Sequence, residues 1–487
     1  MSDPERPNVV FAFSDQHRGM DMGCAGNDDV ETPAMDRLAA SGTRLTNAYS
    51  NHPICGPSRA SLISGQYPTT NGVITNEFSL PTEAPSIAEA FREAGYRTGY
   101  VGKWHIDGVP RDKWTPPGPR RQGFDDFWAV HNCVHDYFNP QYYRDSPELI
   151  REEGYEPTVQ TDLAIEFIEQ DDDRPFCLFV SWGPPHDPYR LVPEAFRERY
   201  DAAELTLRPN VEPILPGHSL NLTTGNTDAP PIREWGERVS PDAYTAGDRY
   251  DYDDPRECYA DYYAAITAID YELGRLLDAL DANGSAKETI LAYSSDHGDL
   301  LYSHGNNQKG TPHEEAANIP LLIRWPGRIP AGVENDALFG IVDVAPTLLT
   351  LANIPVPEAM DGRDRSAQVR EPTHDGPREL FLYGQNWRAV RTKRYMYACV
   401  PTDLEEFAHL PEGHALLFDN ETDPYQQRNL VYDPEYEDVR SRLRETLDVQ
   451  LDATDDPHYH LEAMVEHLNR EDDWARRQRY IAGDIEE

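Results

Sequence analysis

Two pairs of adjacent polar residues, far apart in the chain, offer the donor atoms of a metal site. Asp15 and Gln16 follow an apolar run near the start of the chain, and Asp296 and His297 follow a similar run. Together they supply two carboxylates, an amide oxygen and an imidazole, a ligand set suited to Ca²⁺, Mg²⁺ or Mn²⁺. Taken alone, each residue could instead cap a helix or lie in a turn. Their combination at two predicted strand ends favours a metal site.

Basic residues that suit an anion stand out because the chain has only five lysines. Lys103 and His105 lie in VGKWH, directly after a predicted strand at 97–102, and Lys309 lies in NNQKGTPHEE. Carboxylates already keep the surface soluble, so lysines near strand ends are better explained by anion binding. Arg59 lies at a predicted helix start, where free backbone N–H groups also attract anions. These four residues predict an anion-binding site.

Three short apolar runs indicate the strands that position these side chains. They are Asn8–Ser14, Phe176–Trp182 and Thr289–Ser294, and each is nearly continuous, as in strands buried on both faces of a parallel sheet. His186 lies in the polar segment PPHD after the second run. Ligand sites of open α/β sheets lie beyond the carboxyl ends of the strands, so these polar residues are predicted to converge.

Helical patterns lie between the strands. They occur at 33–42, at 86–95 and, in the longest case, at Tyr259–Leu280, where six apolar residues form one stripe. Thr32 and Ser86 are predicted to cap the first two helices. Helices that alternate with buried strands predict an α/β fold.

Two changes of composition divide the chain. Residues 205–255 are rich in Pro, Gly, Asp and Tyr without a sustained period, which predicts a long insertion that shapes specificity. Beyond residue 371, short segments such as Glu379–Tyr383 and Tyr395–Val400 precede a charged helical tail. We therefore predict a catalytic domain at 1–371 and a smaller C-terminal α+β subdomain at 372–487.

The charge balance excludes several classes of partner. The chain has 86 acidic and 44 basic residues, a formal net charge of −42. Such a surface repels nucleic acid and anionic membranes, so neither is expected to bind. The acidic residues are spread along the whole chain, which favours a halophilic protein over an ordinary acidic one.

Cysteine spacing and hydropathy indicate the compartment. The six cysteines lie far apart and form no CxxC pair, which favours free thiols over disulfides or a zinc site. No stretch reaches the roughly 18 apolar residues of a membrane-spanning helix, and the first residues are polar. A cytoplasmic protein is expected.

The segment CGPSR at Cys55–Arg59 resembles the C-x-P-S-R signature of the type I sulfatases, in the alkaline phosphatase superfamily. The resemblance implies an α/β fold with a large mixed, mostly parallel sheet flanked by helices and a smaller C-terminal α+β subdomain. It covers nearly the whole chain, through PNVVFAFSDQHR, TPAMDRLAASGTRLTNAYS, GYRTGYVGKWH, PPHDPY, SSDHGD, NIPLLIRWPG, DVAPTLLTLANI and LFDNETDPYQQRNL, in order.

The resemblance also implies a mechanism. In that family the signature cysteine, here Cys55, is oxidised by a maturation enzyme to Cα-formylglycine, whose hydrate attacks the sulfur of a sulfate ester. His186 and Lys309 match the acid that protonates the leaving alcohol. His105 matches the base that then restores the aldehyde and expels the sulfate. Cys55 is therefore expected to be a nucleophile in modified form.

Further positions match the family's binding residues. Arg59 would hold the modified residue, and Lys103 and Lys309 would bind the sulfate oxygens. The metal set implied by the resemblance is Asp15, Gln16, Asp296, His297 and the modified Cys55.

Two positions depart from the commonest family pattern. Many relatives have a second aspartate where this chain has Gln16, and an asparagine where it has His297. The Gln and His forms occur in carbohydrate and choline sulfatases and in phosphonate or phosphodiester hydrolases. Ca²⁺ is favoured over Mn²⁺ or Mg²⁺ as the ion.

The favoured function is hydrolysis of a sulfate monoester on a carbohydrate, an assignment by family analogy. The expected partners are a sulfated small molecule or glycan and a formylglycine-generating enzyme. The alternatives are a phosphonate monoester or phosphodiester hydrolase, and a non-catalytic binding protein on the same fold.

Overall fold

An eight-stranded sheet forms the centre of the molecule. The structure is a computed structural model, and it describes residues 6–211, 252, 254–371, 373–399, 415–456 and 461–485. Most of the insertion predicted at 205–255 lies outside the described residues. The strands up to Gly340 are β1 (Asn8–Asp15), β2 (Thr43–Tyr49), β3 (Arg97–Lys103), β4 (Phe127–His131), β5 (Gln141–Tyr142), β6 (Ile150–Arg151), β7 (Phe176–Pro185), β8 (Thr289–Ser295), β9 (Leu321–Arg324) and β10 (Val333–Gly340).

The strand order of the large sheet is β10-β2-β9-β8-β1-β7-β3-β4. Only β9 is antiparallel to its neighbours, so the prediction of a mixed, mostly parallel sheet is confirmed. β1 lies between β8 and β7, and it is buried along nearly its whole length. Its continuous apolar run reflects burial on both faces.

Helices cover both faces of this sheet. Alternate residues of β1 point to opposite cores: Phe11 and Phe13 pack into one, and Val10 and Ala12 into the other. The helices are α1 (Pro33–Ala40), α2 (Cys55–Ser64), α3 (Pro68–Asn71), α4 (Ile87–Glu93), α5 (Glu156–Ile168), α6 (Glu194–Arg197), α7 (Pro255–Ala282), α8 (Glu314–Ala317), α9 (Val344–Leu351), α10 (Ser366–Arg370), α11 (Glu437–Ala453), α12 (Leu461–His467) and α13 (Glu471–Ile481).

A second, antiparallel sheet follows in the C-terminal part. Its order is β11-β12-β13-β14, and α11 packs against it through Leu443, Leu447 and Leu451. The predicted α+β character of this part is confirmed, whereas the boundary at 371/372 remains a prediction. The strands are β11 (Glu379–Tyr383), β12 (Arg388–Thr392), β13 (Tyr395–Cys399) and β14 (Ala415–Asp419).

The predicted cap of α1 is wrong. The Thr32 side chain makes no capping hydrogen bond, and the free N–H groups at the helix start are satisfied from α7 instead. Asp270 accepts hydrogen bonds from Ala34 N at 2.9 Å and Met35 N at 2.7 Å. A residue distant in sequence therefore replaces the local cap. By contrast, Ser86 caps α4 as predicted, by accepting from Ala88 N.

Two further predictions concern thiols and hydropathy. All six cysteines are free, as predicted. Among the described residues, no helix is both long enough and apolar enough to cross a bilayer.

Candidate active site

Four adjacent strands of the large sheet end at one edge. β8, β1, β7 and β3 are neighbours and run in the same direction. Asp15 ends β1 and Lys103 ends β3, while Asp296 follows β8 and His186 follows β7. All four side chains are buried. The predicted convergence at the carboxyl ends of the strands is therefore found in the structure.

Cys55 is the first residue of α2 and faces these strand ends. Its Sγ lies 3.2 Å from His297 Nε2, 3.2 Å from Lys309 Nζ and 3.8 Å from Asp15 Oδ1. Burial, followed by Asp15, raises the pKa of the thiol, but the neighbouring cations, chiefly Lys103 and Lys309, outweigh both and lower it to about 7. The first turn of a helix also favours negative charge. This surrounding activates Cys55 relative to an ordinary buried thiol.

Asp15 is the carboxylate at the centre of the cluster. Its Oδ2 accepts from Lys103 Nζ at 2.5 Å and from Arg59 Nη2 at 3.2 Å, and its Oδ1 lies 3.4 Å from His297 Nε2. Burial raises the pKa of this carboxyl, but Lys103, then Lys309 and Arg59, hold it well below its usual value. Asp15 is therefore ionised despite being fully buried.

Arg59 joins the two acidic strand ends. Its Nε donates to Asp296 Oδ2 at 2.8 Å, and its Nη1 donates to Lys103 O and to Ser181 Oγ, both at 2.7 Å. With Asp15 on Nη2, the guanidinium touches residues that belong to or directly follow β1, β3, β7 and β8. A planar, multiply bonded guanidinium fixes the relative positions of these groups.

Gln16 and Lys309 form another side of the site. Gln16 Oε1 accepts from Lys309 Nζ at 2.6 Å, and Gln16 Nε2 donates to Tyr189 Oη at 3.2 Å and to Asp299. The backbone of Gln16 has φ of +71°, a conformation that side chains other than glycine rarely adopt. Such strain is tolerated where the surroundings fix the residue.

The loop that carries Lys309 is held from several directions. Asp299 Oδ1 accepts from Leu301 N at 2.8 Å and from Gln308 N at 3.1 Å. Gly310 N donates to Pro53 O at 2.9 Å, which ties the loop to the segment before Cys55. The loop therefore presents Lys309 from a fixed backbone.

His105 lies two residues beyond β3, and its backbone has φ of +56°. It is 2% exposed, and neither ring nitrogen has a hydrogen-bond partner within the described part of the chain. Burial, followed by the charges of Lys103 and Arg111, holds its pKa well below the usual value. His105 is therefore neutral and able to accept a proton.

His135 belongs to the same cluster, although the sequence analysis missed it. Its Nε2 lies 3.0 Å from Lys103 Nζ, and its ring stacks on that of His186 with 4.2 Å between centroids. Donor atoms of Asp15, His135 and His186 lie within 4.8 Å of one another. The available signal was the segment NCVHD, which directly follows the buried strand β4, but β4 itself was not predicted.

The donor set fits a divalent cation. Asp15, Cys55, Asp296 and His297 each offer one ligand atom, all within 4.8 Å of one another. His297 Nδ1 lies 2.9 Å from Gly298 O, which it can only meet as a donor, so Nε2 carries the lone pair in the neutral ring. Nε2 lies 3.4 Å from Asp15 Oδ1, and a divalent cation would be held by both residues. Histidine ligands are commonly oriented by a backbone carbonyl in this way.

Comparison with known proteins identifies the family. The sequence model of the sulfatase family matches residues 7–354, and that of the C-terminal region of N-sulphoglucosamine sulphohydrolase matches residues 303–453. The chain belongs to the sulfatase family. It is a sulfuric ester hydrolase of the alkaline phosphatase type, as the sequence motifs predicted.

Individual relatives of this sulfatase act on sulfated carbohydrates. This chain is 35% identical to an ulvan-active sulfatase of Formosa agariphila, over 92% of this chain and 82% of the relative. It is 27% identical to an N-acetylglucosamine-6-O-sulfatase of Bacteroides thetaiotaomicron, over 91% of this chain and 86% of the relative.

Solved structures agree on the fold. A sulfatase of Bacteroides fragilis, YidJ, superposes with a TM-score of 0.78 at 27% identity, covering 96% of this chain and 99% of that one. A phosphonate monoester hydrolase of Agrobacterium radiobacter has a TM-score of 0.69 at 21% identity, covering 92% and 96%. The latter likeness shows a shared fold only.

The sulfatase brings every residue proposed from its sequence to one edge of the sheet. Asp296, His297 and Cys55 lie around Asp15, Gln16 accepts from Lys309, and Lys103, Lys309 and Arg59 supply the positive charge. The roles assigned to individual residues remain predictions.

Proposed function

We propose that this sulfatase hydrolyses a sulfate monoester of a carbohydrate, using a formylglycine made from Cys55 and a divalent cation. The observation that carries the proposal is the position of Cys55, which begins a buried helix and lies between Lys309 and His297. Relatives named for ulvan, N-acetylglucosamine 6-sulfate and an endo-4-O-sulfatase activity support a carbohydrate substrate.

The cations of the chain supply the binding of the transferred group. Lys309 Nζ lies beside Cys55 Sγ, and Lys103 lies across Asp15 from it, so both ammonium groups can reach oxygens of a sulfate at this position. Arg59, committed to Asp15 and Asp296, positions the carboxylates rather than the substrate. Fixed positive charge in a buried site stabilises the charge that develops in the transition state.

Two histidines are placed to move protons. His186 and Lys309 are the candidates for the acid that protonates the leaving alcohol. His105, neutral because of burial and nearby cations, is the candidate for the base of the second step. When present, formylglycine supplies an oxygen nucleophile for sulfur, and the divalent ion supplies positive charge beside it.

Asp15, Gln16, Asp296 and His297 would hold the divalent ion, together with the modified Cys55. Their oxygen-rich set suits Ca²⁺, which we propose over Mn²⁺ and Mg²⁺. Metal analysis of active protein tests this choice: calcium in a 1:1 ratio is expected, whereas manganese at that ratio without calcium contradicts it.

Two measurements test the proposed function. Mass spectrometry of the Cys55 peptide from active protein, made with a formylglycine-generating enzyme, is expected to show the aldehyde. Turnover of 4-nitrophenyl sulfate is then compared with that of a 4-nitrophenyl phosphonate ester. The sulfate ester is expected to be the better substrate by kcat/KM, and Cys55→Ala serves as the inactive control.

Either of two results contradicts the proposal: an unmodified thiol in fully active protein, or a clear preference for the phosphonate ester. The carbohydrate preference is tested separately, by sulfate release from N-acetylglucosamine 6-sulfate and from choline sulfate. A higher kcat/KM for choline sulfate would overturn that part alone.

A further inference from the structure

The mechanism above does not use a group of cations that comes partly from the segment after His105 and partly from α13. The group, called the basic cluster here, contains one of the five lysines of a chain with a net charge of −42. Two carboxylates, Glu77 and Asp107, lie among its members. The basic cluster consists of Arg111, Lys113, Arg120, Arg476 and Arg477.

Each of these carboxylates is shared between cations. Glu77 lies between two guanidinium groups, with its Oε1 2.9 Å from Arg111 Nη2 and its Oε2 3.1 Å from Arg477 Nε. Asp107 lies 2.7 Å from Arg120 Nη2 and 3.7 Å from Lys113 Nζ. Burial, together with Arg120 and Arg476 and offset in part by Asp107, lowers the pKa of Lys113 to about 8. Four cations facing two carboxylates leave the basic cluster with an excess of positive charge.

Backbone hydrogen bonds attach the basic cluster to the active site. His105 N donates to Asn132 O at 2.8 Å, and Cys133 N donates to Arg111 O at 3.1 Å. The Asn132 side chain also donates to Gly108 O at 3.0 Å. These hydrogen bonds join the loop that carries His105 and Arg111 to the segment just before His135, whose side chain contacts Lys103.

Arg111 is the member best placed to meet a substrate. Its side chain is 18% exposed, so a ligand can reach it, yet its Nε is buried and has no partner among the described residues. Its backbone oxygen accepts from Cys133 N at 3.1 Å, and Cys133 Sγ lies 4.0 Å from His135 Nε2, which belongs to the active-site cluster. Glu77 holds the guanidinium from one side and is itself held by Arg477 on α13. The group is therefore preorganised, which reduces the entropy lost on binding.

We propose that Arg111 forms a subsite for a second anionic group, a carboxylate or another sulfate, on the substrate whose sulfate ester is cleaved. This inference rests on the proposed function. A guanidinium pairs with planar or tetrahedral oxyanions through two parallel hydrogen bonds, which a neutral hydroxyl cannot match. Elsewhere the acidic surface repels a dianionic ligand, so a fixed guanidinium beside the site selects for it.

Paired substrates test the subsite. The first pair is N-acetylglucosamine 6-sulfate and glucosamine 2-N,6-O-disulfate, which share a ring and differ by the second sulfate. The second pair is 4-nitrophenyl sulfate with and without a ring carboxylate. Arg111→Gln is expected to lower the ratio of kcat/KM, doubly over singly anionic substrate, by about ten- to hundredfold, the value of one charged hydrogen bond. The pair that responds identifies the anion.

Arg44→Gln is the matched control. Arg44 is similarly exposed, at 15%, and similarly paired with a carboxylate, Glu334, at 2.7 Å, but it lies near the opposite end of the sheet, in β2. Arg44→Gln removes the same charge and is expected to leave the ratio of kcat/KM, doubly over singly anionic substrate, unchanged. A second measurement needs no variant: in the wild type, added KCl is expected to raise KM more steeply for the doubly anionic substrate.

The outcomes separate the two proposals. An unchanged ratio in Arg111→Gln for both pairs overturns the subsite, and so does an equal fall in Arg44→Gln. Equal KCl dependence of KM for both members of each pair also overturns it if Arg111→Gln fails to fold. Absence of wild-type activity on every sulfate ester would overturn the proposed function instead.

Discussion

Two buried carboxylates, Asp15 in the active site and Asp270 between α1 and α7, have pKa values shifted in opposite directions. Burial raises the pKa at both places. At Asp15, Lys103 and two further cations reverse the effect and hold the pKa well below its usual value. At Asp270 burial is opposed mainly by the N–H groups of Ala34 and Met35, with only a smaller contribution from Arg37, and the pKa is raised from 3.8 to about 7. In this protein fixed cations keep a buried carboxylate charged, and backbone N–H groups do not suffice.

The comparison explains where the chain places its few lysines. Two of the five, Lys103 and Lys309, lie in the active site and lower the pKa of Asp15. A buried cation is costly to desolvate, so these positions serve function more than folding. Substitutions that change the number of cations around a buried carboxylate therefore test the comparison directly.

The largest effect is expected for Lys103→Met. It leaves Asp15 without its nearest cation and removes a group that is proposed to bind the sulfate, so kcat/KM for an aryl sulfate is expected to fall by about 10³-fold. The free energy of unfolding should fall by about 3–5 kcal/mol, the cost of leaving a buried charge unpaired. Steady-state kinetics and urea unfolding measure the two. Lys287→Met, at an exposed position, is the control, and similar losses in both variants would contradict the comparison.

Chelation tests whether the cations of the chain suffice without a divalent ion. Treatment with EDTA is expected to lower kcat by at least about 100-fold, because the ion supplies several kcal/mol of charge stabilisation. Ca²⁺ should restore the activity, and metal analysis verifies removal. Full activity in demonstrably metal-free protein would show that Lys103, Lys309 and Arg59 are enough.

Arg388→Ala extends the comparison to a buried pair outside the active site. Arg388 Nε lies 2.6 Å from Asp456 Oδ2, and both side chains are nearly inaccessible. Loss of this guanidinium is expected to lower the free energy of unfolding by about 3–5 kcal/mol while changing kcat less than about threefold. Denaturant unfolding and kinetics on the same preparation check this. A loss of activity without a loss of stability would place Arg388 in the chemistry instead.

The smallest effect is expected for Asp270→Asn, and it depends on pH. Between the unfolded pKa of 3.8 and the folded pKa of about 7, the folded protein binds a proton that the unfolded chain releases. The wild-type free energy of unfolding therefore falls as pH rises through this window, and the variant lacks this contribution. The difference in free energy of unfolding, wild type minus Asp270→Asn, should therefore fall by at least about 1.4 kcal/mol, the equivalent of one pKa unit, as the pH rises from about 4 to about 7.

The control for this measurement is Asp278→Asn, on an exposed part of the same helix. The free energy of unfolding of this variant should differ from that of the wild type by an amount that changes by about 1 kcal/mol or less between pH 4 and pH 7, as is typical of exposed charged groups. A difference for Asp270→Asn that rises with pH would mean that the N–H groups of α1 outweigh burial after all.

The sequence was sufficient to predict the elements that depend on local pattern. β1, β7 and β8 begin where the apolar runs predict them, because strands buried on both faces must be continuously apolar. The polar residues at the carboxyl ends of these strands predicted the location of the site, because parallel strands bring their carboxyl ends to one edge of the sheet. The CGPSR segment then identified Cys55 among six cysteines, five of which are buried.

Other features depend on contacts between distant segments and have no local signal. The cap of α1 comes from Asp270, more than two hundred residues away, so Thr32 was the reasonable but wrong choice. His135 was missed because β4, the strand before it, was not predicted from its short apolar run FWAV, and because its partner Lys103 lies on the neighbouring strand β3. The role proposed for Arg111 depends on Glu77, which pairs with it, and on Arg477, which pairs with Glu77; both residues lie far from Arg111 in the sequence.

The complete burial of α2 bears on when the proposed oxidation of Cys55 would have to take place. All ten residues of this helix are buried, and Cys55 is only 2% exposed. If Cys55 is oxidised as proposed, a maturation enzyme would have no access to it once the helix has packed, so oxidation and folding would compete in time. The fraction of active molecules would then be a kinetic quantity, set by the ratio of two rates rather than by stability. A substitution that speeds folding of this region would yield a more stable population with fewer working enzymes.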